Sequence, residues 1–169
     1  MPFGTWLWRR GALRGERNLH QDFLDLLAVF ADEKVSYVVI GGYAVSYYDR
    51  PRYTKDLDLW VDSRPANLAK VHRALGRFGA PAQVLRDLEN LEPDEVLWMG
   101  NPPVRVDILQ KVDGVQFDEV MSRHLRVEWH GVPVCLISRE DLIASKRAAG
   151  RPQDLVDADN LEAAESYEF

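Results

Sequence analysis

The stretch VVIGGYAVSYYDRPRYTKDLDLWVD, residues 38–62, decides the fold of this sequence. An apolar, β-branched run leads into Gly41-Gly42, which predicts a buried strand, a tight turn and a short helix. In the later run DLDLWV, polar and apolar residues alternate, so Asp56 and Asp58 share one face of a second strand while the leucines face the core. The stretch therefore predicts two strands joined through a helix, with two carboxylates standing together.

Two carboxylates on one face of a strand predict a bound cation. Their backbone anchors are roughly 7 Å apart, and the charges repel unless a cation lies between them. The later run VRVDILQ places Asp107 in a second strand-like segment. If that strand lies beside the first, three carboxylates meet, and carboxylate oxygens are ligands that Mg²⁺ prefers. The pattern predicts one or two divalent cations held by Asp56, Asp58 and Asp107, as in phosphoryl and nucleotidyl transfer.

The residues around the two aspartates suit a ligand that carries phosphate. Gly41 and Gly42 let the backbone approach such a ligand, and the helix that follows offers N–H groups to an anion. The residues directly before the DLDL run are also predicted to contact the nucleotide: Arg52, Thr54 and Lys55. Each feature has a plainer alternative, because a DLDL run is typical of an edge strand with one wet face and a glycine pair is typical of an ordinary turn. Their order and spacing together favour a binding site.

The rest of the chain predicts an α/β or α+β fold, with a small mixed sheet flanked by helices. Helical patterns are indicated at 18–33, 67–81, 115–124, 138–150 and 151–169, and strand-like runs at 35–42, 95–103, 104–110 and 125–137. We expect residues 1–17 to form an N-terminal extension and residues 18–169 to form a single domain with C-terminal helices.

Composition excludes several classes of protein. Of the 169 residues, 46% are hydrophobic and 28% charged, which argues against disorder, and a net charge of −6 excludes a uniformly basic nucleic-acid coat. No P-loop, GxSxG motif or zinc-ligand pair is present. No apolar run reaches the roughly 18–20 residues of a membrane-spanning helix. The single cysteine, Cys135, allows no disulfide within the chain, so we expect a cytoplasmic protein without membrane association.

These motifs resemble the nucleotidyltransferase superfamily that includes DNA polymerase beta. Its pattern is an apolar strand, a Gly-Gly or Gly-Ser turn, a spacer, an Asp-x-Asp and a third acid on a later strand. Here the pattern is matched by Gly41-Gly42, Asp56-x-Asp58 and Asp107. With the late segment CLISREDLIASKRAAGRPQDLVDADNLE, the resemblance covers about residues 18–161 and looks most like AbiEii-type toxins and related small bacterial nucleotidyltransferase domains.

The resemblance implies Mg²⁺-dependent transfer of a nucleoside monophosphate from an NTP to a hydroxyl acceptor, with two ions and with Mn²⁺ as an alternative metal. In several members the acceptor is tRNA and the enzyme is the toxin of a toxin–antitoxin pair, so an RNA acceptor and a cognate antitoxin are the implied partners. The late lysine that contacts the nucleotide in the family would be Lys146. The last acidic motif would fall on Asp154 or Asp157.

Two other functions stay open. Aminoglycoside- and lincosamide-modifying enzymes share the GG…DxD layout, so a small molecule is an alternative acceptor, as is a protein. A non-catalytic relative would instead serve as an antitoxin or binding module. The presence of all three carboxylates and of Lys146 favours catalysis. In the late segment, Lys146, Arg147 and Arg151 predict a basic patch suited to a triphosphate or an RNA backbone, and residues 154–168 predict a solvated acidic helix face.

Overall fold

The structure, a computed structural model, describes residues 19–165, so the expected N-terminal extension at residues 1–17 lies outside the described residues. Within them the chain forms one six-stranded mixed sheet and seven helices, which confirms the predicted α/β fold. The helices are α1 (Gln21–Asp32), α2 (Gly41–Tyr48), α3 (Pro65–Phe78), α4 (Ala82–Glu89), α5 (Phe117–Arg123), α6 (Arg139–Ala149) and α7 (Pro152–Glu165). The strands are β1 (Tyr37–Ile40), β2 (Asp56–Val61), β3 (Val96–Asn101), β4 (Val104–Leu109), β5 (Leu125–Trp129) and β6 (Val132–Leu136).

The sheet has the strand order β3-β4-β2-β1-β6-β5. The inner pairs β2–β4 and β1–β6 are parallel, and β1–β2 and the two outer hairpins, β3–β4 and β5–β6, are antiparallel. Strand β2 carries the DLDL run and lies between β1 and β4, so this run is not an edge strand. Its aspartates therefore need a reason other than a solvated edge.

The core lies where the apolar face of the sheet meets helices. On β2, Leu57 and Leu59 are fully buried, as the alternation predicts, and Ile108 of β4 is 1% exposed. Helix α1 packs on α3 and β6, α4 packs on β3, and α6 packs on α7 with α2 beside both. No helix of the described part is long and apolar enough to cross a membrane.

Two details differ from the sequence prediction. Helix α4 was not predicted, because its two turns bury only Leu88 and its start has no side-chain cap. Gly41 and Gly42 do not end the first strand but form the first turn of α2, since β1 stops at Ile40. Gly41 has a φ of 68°, so a residue in left-handed conformation connects strand and helix directly.

Candidate active site

The sheet register brings the predicted acids together where β2 and β4 run side by side. In this parallel pair Asp58 lies opposite Asp107, and Asp56 lies opposite Arg105. On its other side Asp58 faces Ile40, the residue immediately before α2. The three carboxylates therefore occupy adjoining positions on the face of the sheet at which α2 begins.

Gly41 packs against the carboxylate of Asp58. A Cβ atom built on Gly41 would lie 2.1 Å from Oδ2 and 2.8 Å from Cγ of Asp58. A Cβ on Gly42 would lie 2.6 Å from Oγ1 of Thr54, so the loop before β2 closes on the same turn. No side chain caps the start of α2. The first N–H groups of this helix therefore have no capping side chain as hydrogen-bond acceptor.

Substituting alanine for Gly41 is expected to destabilise the protein by about 2 kcal/mol or more. The left-handed backbone alone costs a non-glycine residue about 1–2 kcal/mol, and the new methyl group collides with Asp58. Chemical denaturation of Gly41→Ala checks the result. Gly76→Ala is the matched control, because Gly76 lies on an exposed part of α3 with nothing within 4 Å, and alanine there should be neutral or stabilising. Equal stability of Gly41→Ala and the wild type would contradict the packing described.

Asp58 is electrostatically strained. Burial, reinforced by the neighbouring carboxylates of Asp107 and Asp56, raises its pKa to about 7, while Lys146 and Arg105 act in the opposite direction. The Oδ1 atom of Asp56 is also buried and has no hydrogen-bond donor in the described part of the chain. Both observations indicate that the carboxylates of Asp56 and Asp58 are not fully neutralised by positive charge.

Arg105 contacts the third carboxylate and was not predicted from the sequence. Its Nε lies 2.7 Å from Oδ1 of Asp107 and its Nη2 lies 3.0 Å from Oδ2, a two-pronged charge-assisted pair. The same Nε is 4.0 Å from Oδ1 of Asp56. The guanidinium lies 5.6 Å from the ring centre of Trp98 on β3. The available signal was the spacing in VRVD, because residues two apart on a strand share one face.

The donor set fits a hard divalent cation in its chemistry. It consists of carboxylate oxygens, one of them buried and without a hydrogen bond, beside a carboxyl whose charge is poorly compensated. Over residues 19–165, however, no three acidic, histidine or cysteine side chains are arranged as ligands of one metal ion. Both oxygens of Asp107 contact Arg105 instead.

Lys146 reaches the site from α6. At the start of this helix the Ser138 hydroxyl accepts a hydrogen bond from the backbone N–H of Asp141. Gly150, with a φ of 68°, ends the helix, as the sequence predicts. Lys146 is 9% exposed, and its Nζ lies 3.2 Å from Oδ1 of Asp154 and 2.9 Å from Oδ2 of Asp157. The sequence left open which of these two acids belongs to the site, and the structure places both on Lys146.

Two arginines join Lys146, Asp154 and Asp157 in one ion cluster. Nη1 of Arg52 lies 2.5 Å from Oδ1 of Asp157, which ties the loop before β2 to α7. Nε of Arg151 lies 2.6 Å from Oδ2 of Asp154. Burial works to raise the pKa of Asp157, but hydrogen bonds from Lys146, Gln153 and Arg52 outweigh it and hold that pKa below its usual value.

Two predictions about the late segment are wrong. Lys146, Arg147 and Arg151 do not form a basic patch, because the first and last pair with α7 acids and Arg147 contacts Asp159 and Glu162. Nor is the whole acidic segment a solvated face, since Asp154 and Asp157 are 5% and 2% exposed. The pairing of distant charges, invisible in the sequence, reverses both expectations.

A cleft of about 400 Å³ adjoins the site. Its walls come from Gly41, from the segment that follows β4 and from α6, including Lys146. Apolar side chains such as Leu109 and Leu142 line it together with charged groups such as Arg151. Of the other predicted nucleotide-binding residues, Arg52 and Thr54 lie beside the start of α2, and Lys55 is exposed directly before Asp56.

Comparison with known proteins supports one class of enzyme. Residues 19–166 match the family model described as "Nucleotidyl transferase of unknown function (DUF2204)". A solved structure of the lincosamide antibiotic adenylyltransferase LnuA, bound to lincomycin, is 16% identical with a TM-score of 0.57, over 86% of this chain and 98% of that one. The structure of the antibiotic-resistance factor ANT(2'')-Ia has 14% sequence identity and a TM-score of 0.53. The match covers 86% of this chain and 83% of that one. These two likenesses establish the fold alone, and no curated protein sequence matches.

Proposed function

Because the chain belongs to the nucleotidyl transferase family that it matches, we propose that it transfers a nucleoside monophosphate from an NTP to an acceptor hydroxyl, with Mg²⁺ as the preferred metal. The observation that carries the proposal is the β2–β4 register, which sets Asp58 beside Asp107 at the first turn of α2. In the reaction the acceptor oxygen bonds to the α-phosphorus, the bond to the β-phosphate oxygen breaks, and pyrophosphate leaves.

The metal would be held by Asp56, Asp58 and Asp107. Divalent cations held there would neutralise charge on the phosphates and lower the pKa of the attacking hydroxyl, and we propose two such ions. Asp107 would help accept the proton of that hydroxyl. Gly41 and Gly42 would donate backbone N–H groups to the phosphates, since no side chain caps the start of α2.

The ion cluster of Lys146, Arg52 and Arg151 with the α7 acids would position the nucleotide. Lys146 lines the cleft and is held by two carboxylates, so its ammonium group stays fixed when a triphosphate arrives. We assign nucleotide contacts also to Arg52, Thr54 and Lys55, from the loop that closes on α2. The cleft between β4 and α6 would receive the nucleoside.

The acceptor is either an RNA or a small molecule. The resemblance to AbiEii-type toxins favours a tRNA 3′ end and a cognate antitoxin as partner. One observation favours a small acceptor such as an antibiotic: Lys146, Arg147 and Arg151 are each paired with α7 acids and so form no basic patch for an RNA backbone.

The proposal predicts label transfer in a direct assay. The purified full chain is incubated with each α-labelled NTP and Mg²⁺, in parallel with total tRNA, protein lysate, aminoglycosides and lincosamides. We expect one NTP to label one acceptor class, and Asp56→Asn to abolish the transfer. On expression in cells, growth arrest would favour the toxin role, and protection from an antibiotic would favour the resistance role. Absence of transfer to every acceptor, with no thermal stabilisation by NTP and Mg²⁺, would refute the proposal.

A further inference from the structure

We propose that Arg105 is a resident counter-ion of the site, which occupies Asp107 when the metal is absent and sets how tightly a divalent cation binds. This inference rests on the proposed function, because it assumes that Asp56, Asp58 and Asp107 receive a metal. It assigns a role to a residue on the same strand as the third acid, two positions before it.

The contacts of Arg105 coincide with those that a metal requires. Both oxygens of Asp107 accept hydrogen bonds from the guanidinium, at 2.7 and 3.0 Å. The guanidinium also approaches the buried oxygen of Asp56 that has no hydrogen-bond donor within residues 19–165, at 4.0 Å. A cation bound between these carboxylates would need the same oxygen atoms. The arginine and the metal therefore compete for the oxygens of Asp107.

Trp98 holds Arg105 in this position from the outer strand. By register Trp98 lies opposite Asp107 on β3, and its ring lies 5.6 Å from the guanidinium carbon of Arg105. Trp98 is 60% exposed, whereas Trp60 and Trp129 are 2% and 5% exposed. An exposed tryptophan on the face of the carboxylates is explained by a cation that rests on it.

The Arg105 side chain lies partly in solvent. Its register partner on β3 is Gly100, which has no side chain. Arg105 itself keeps about a third of its side chain exposed, at 33%, so solvent surrounds one side of the guanidinium. The arginine can thus leave Asp107 without repacking the core, and Trp98 remains available as a surface on which it stays close to the site.

Charge explains why such a residue would be useful. Three adjoining carboxylates repel one another. Within residues 19–165, no cationic side chain lies at hydrogen-bond distance from Asp58. Arg105 reduces this repulsion while the site waits for substrate. It also raises the threshold for metal binding, so loading would favour a cation that arrives together with the negative charge of a triphosphate.

Metal binding to the full chain tests the inference. Mn²⁺ affinity is measured by electron paramagnetic resonance and calorimetry, without nucleotide and with a non-hydrolysable ATP analogue. Arg105→Gln is expected to bind Mn²⁺ about tenfold tighter than the wild type without nucleotide, the size of effect that one charge-assisted pair produces. Arg77→Gln is the matched control, because it removes the same charge from an exposed pair with Glu33 and should leave the affinity unchanged.

A second variant keeps the test decisive if Arg105→Gln folds poorly. Arg105→Lys keeps the charge but loses the two-pronged geometry, so it is expected to bind Mn²⁺ about threefold tighter. Unchanged or weaker binding in the folded variants, with a wild type that binds Mn²⁺ and transfers label, would overturn the role of Arg105 alone. Absence of both Mn²⁺ binding and transfer in every form would overturn the proposed function with it.

Discussion

Replacing Asp58 by asparagine is expected to stabilise the metal-free protein at pH 8 while it abolishes nucleotidyl transfer. The wild-type carboxyl has its pKa raised from 3.8 to about 7 by burial and by the neighbouring carboxylates of Asp107 and Asp56. Ionising it at pH 8 therefore opposes folding, and a shift of this size corresponds to about 2–4 kcal/mol. Asparagine keeps the shape and removes the charge. The measurement is the free energy of unfolding in chelator, at several pH values.

The pH dependence has a definite sign. A carboxyl with a raised pKa keeps its proton in the folded state over a range where the unfolded chain has lost it, so wild-type stability falls as pH rises from about 4 to 7. The advantage of Asp58→Asn should accordingly be largest at pH 8 and vanish below about pH 4. Asp62→Asn is a control of opposite sign, because hydrogen bonds from Arg64 outweigh burial and lower the pKa of Asp62.

The same substitution should remove catalysis. Loss of a metal ligand forfeits several kcal/mol of transition-state stabilisation, which is a rate loss of about 10³-fold or more. Divalent metal should also raise the melting temperature of the wild type more than that of Asp58→Asn. A variant that is less stable at pH 8, or one that transfers label at the wild-type rate, would contradict this account of Asp58.

Replacing Lys146 by methionine is expected to destabilise the protein by about 3 kcal/mol, at the low end for a broken buried ion pair. The loss leaves Asp154 and Asp157 buried, each with one arginine and Asp157 with Gln153 as well. These partners limit the cost. Urea denaturation at pH 7 gives the value, and Lys70→Met, on the surface of α3, is the control that should change stability little.

The coupling between these charges can be isolated. If Lys146 acts through the α7 acids, the double variant Lys146→Met/Asp157→Asn should lose less stability than the two single variants together. Asp154 and Asp157 both have lowered pKa values, because hydrogen bonds outweigh burial, so the stability they confer is lost as pH falls below about 4. The gap between wild type and Lys146→Met should narrow there. An additive double variant would contradict the coupling between Lys146 and Asp157.

The sequence predicted what depends on local pattern. Alternation in DLDL assigned the buried and the polar face of β2, and the Ser138 cap and Gly150 placed α6 to within a residue. The apolar run around Asp107 forms β4, as its pattern predicts, and the register sets Asp107 opposite Asp58. These predictions succeed because strand and helix periods are properties of neighbouring residues.

The sequence did not predict what depends on long-range pairing. Arg105 looks like any polar residue of an alternating strand until its carboxylate partner and Trp98 are both in place. Asp154 and Asp157 read as solvated acids because their partners include Arg52, which is 105 positions away from Asp157. Helix α4 was missed because so little of it is buried that its pattern is weak. Only the pairing of Arg52 with Asp157 is distant in sequence. Asp107 is two positions from Arg105, but the sequence does not show that the two side chains pair.

The parallel pairing of β2 with β4 has a consequence for how the site is assembled. Parallel neighbours cannot be joined by a tight turn, and here α3, α4 and β3 intervene between the two strands. The repulsion between Asp58 and Asp107 consequently does not exist in a growing chain until β4 has been synthesised and has docked. During synthesis β2 can pair with β1 while Asp58 has only the carboxylate of Asp56 beside it, and the repulsion from Asp107 arises once much of the sheet is in place.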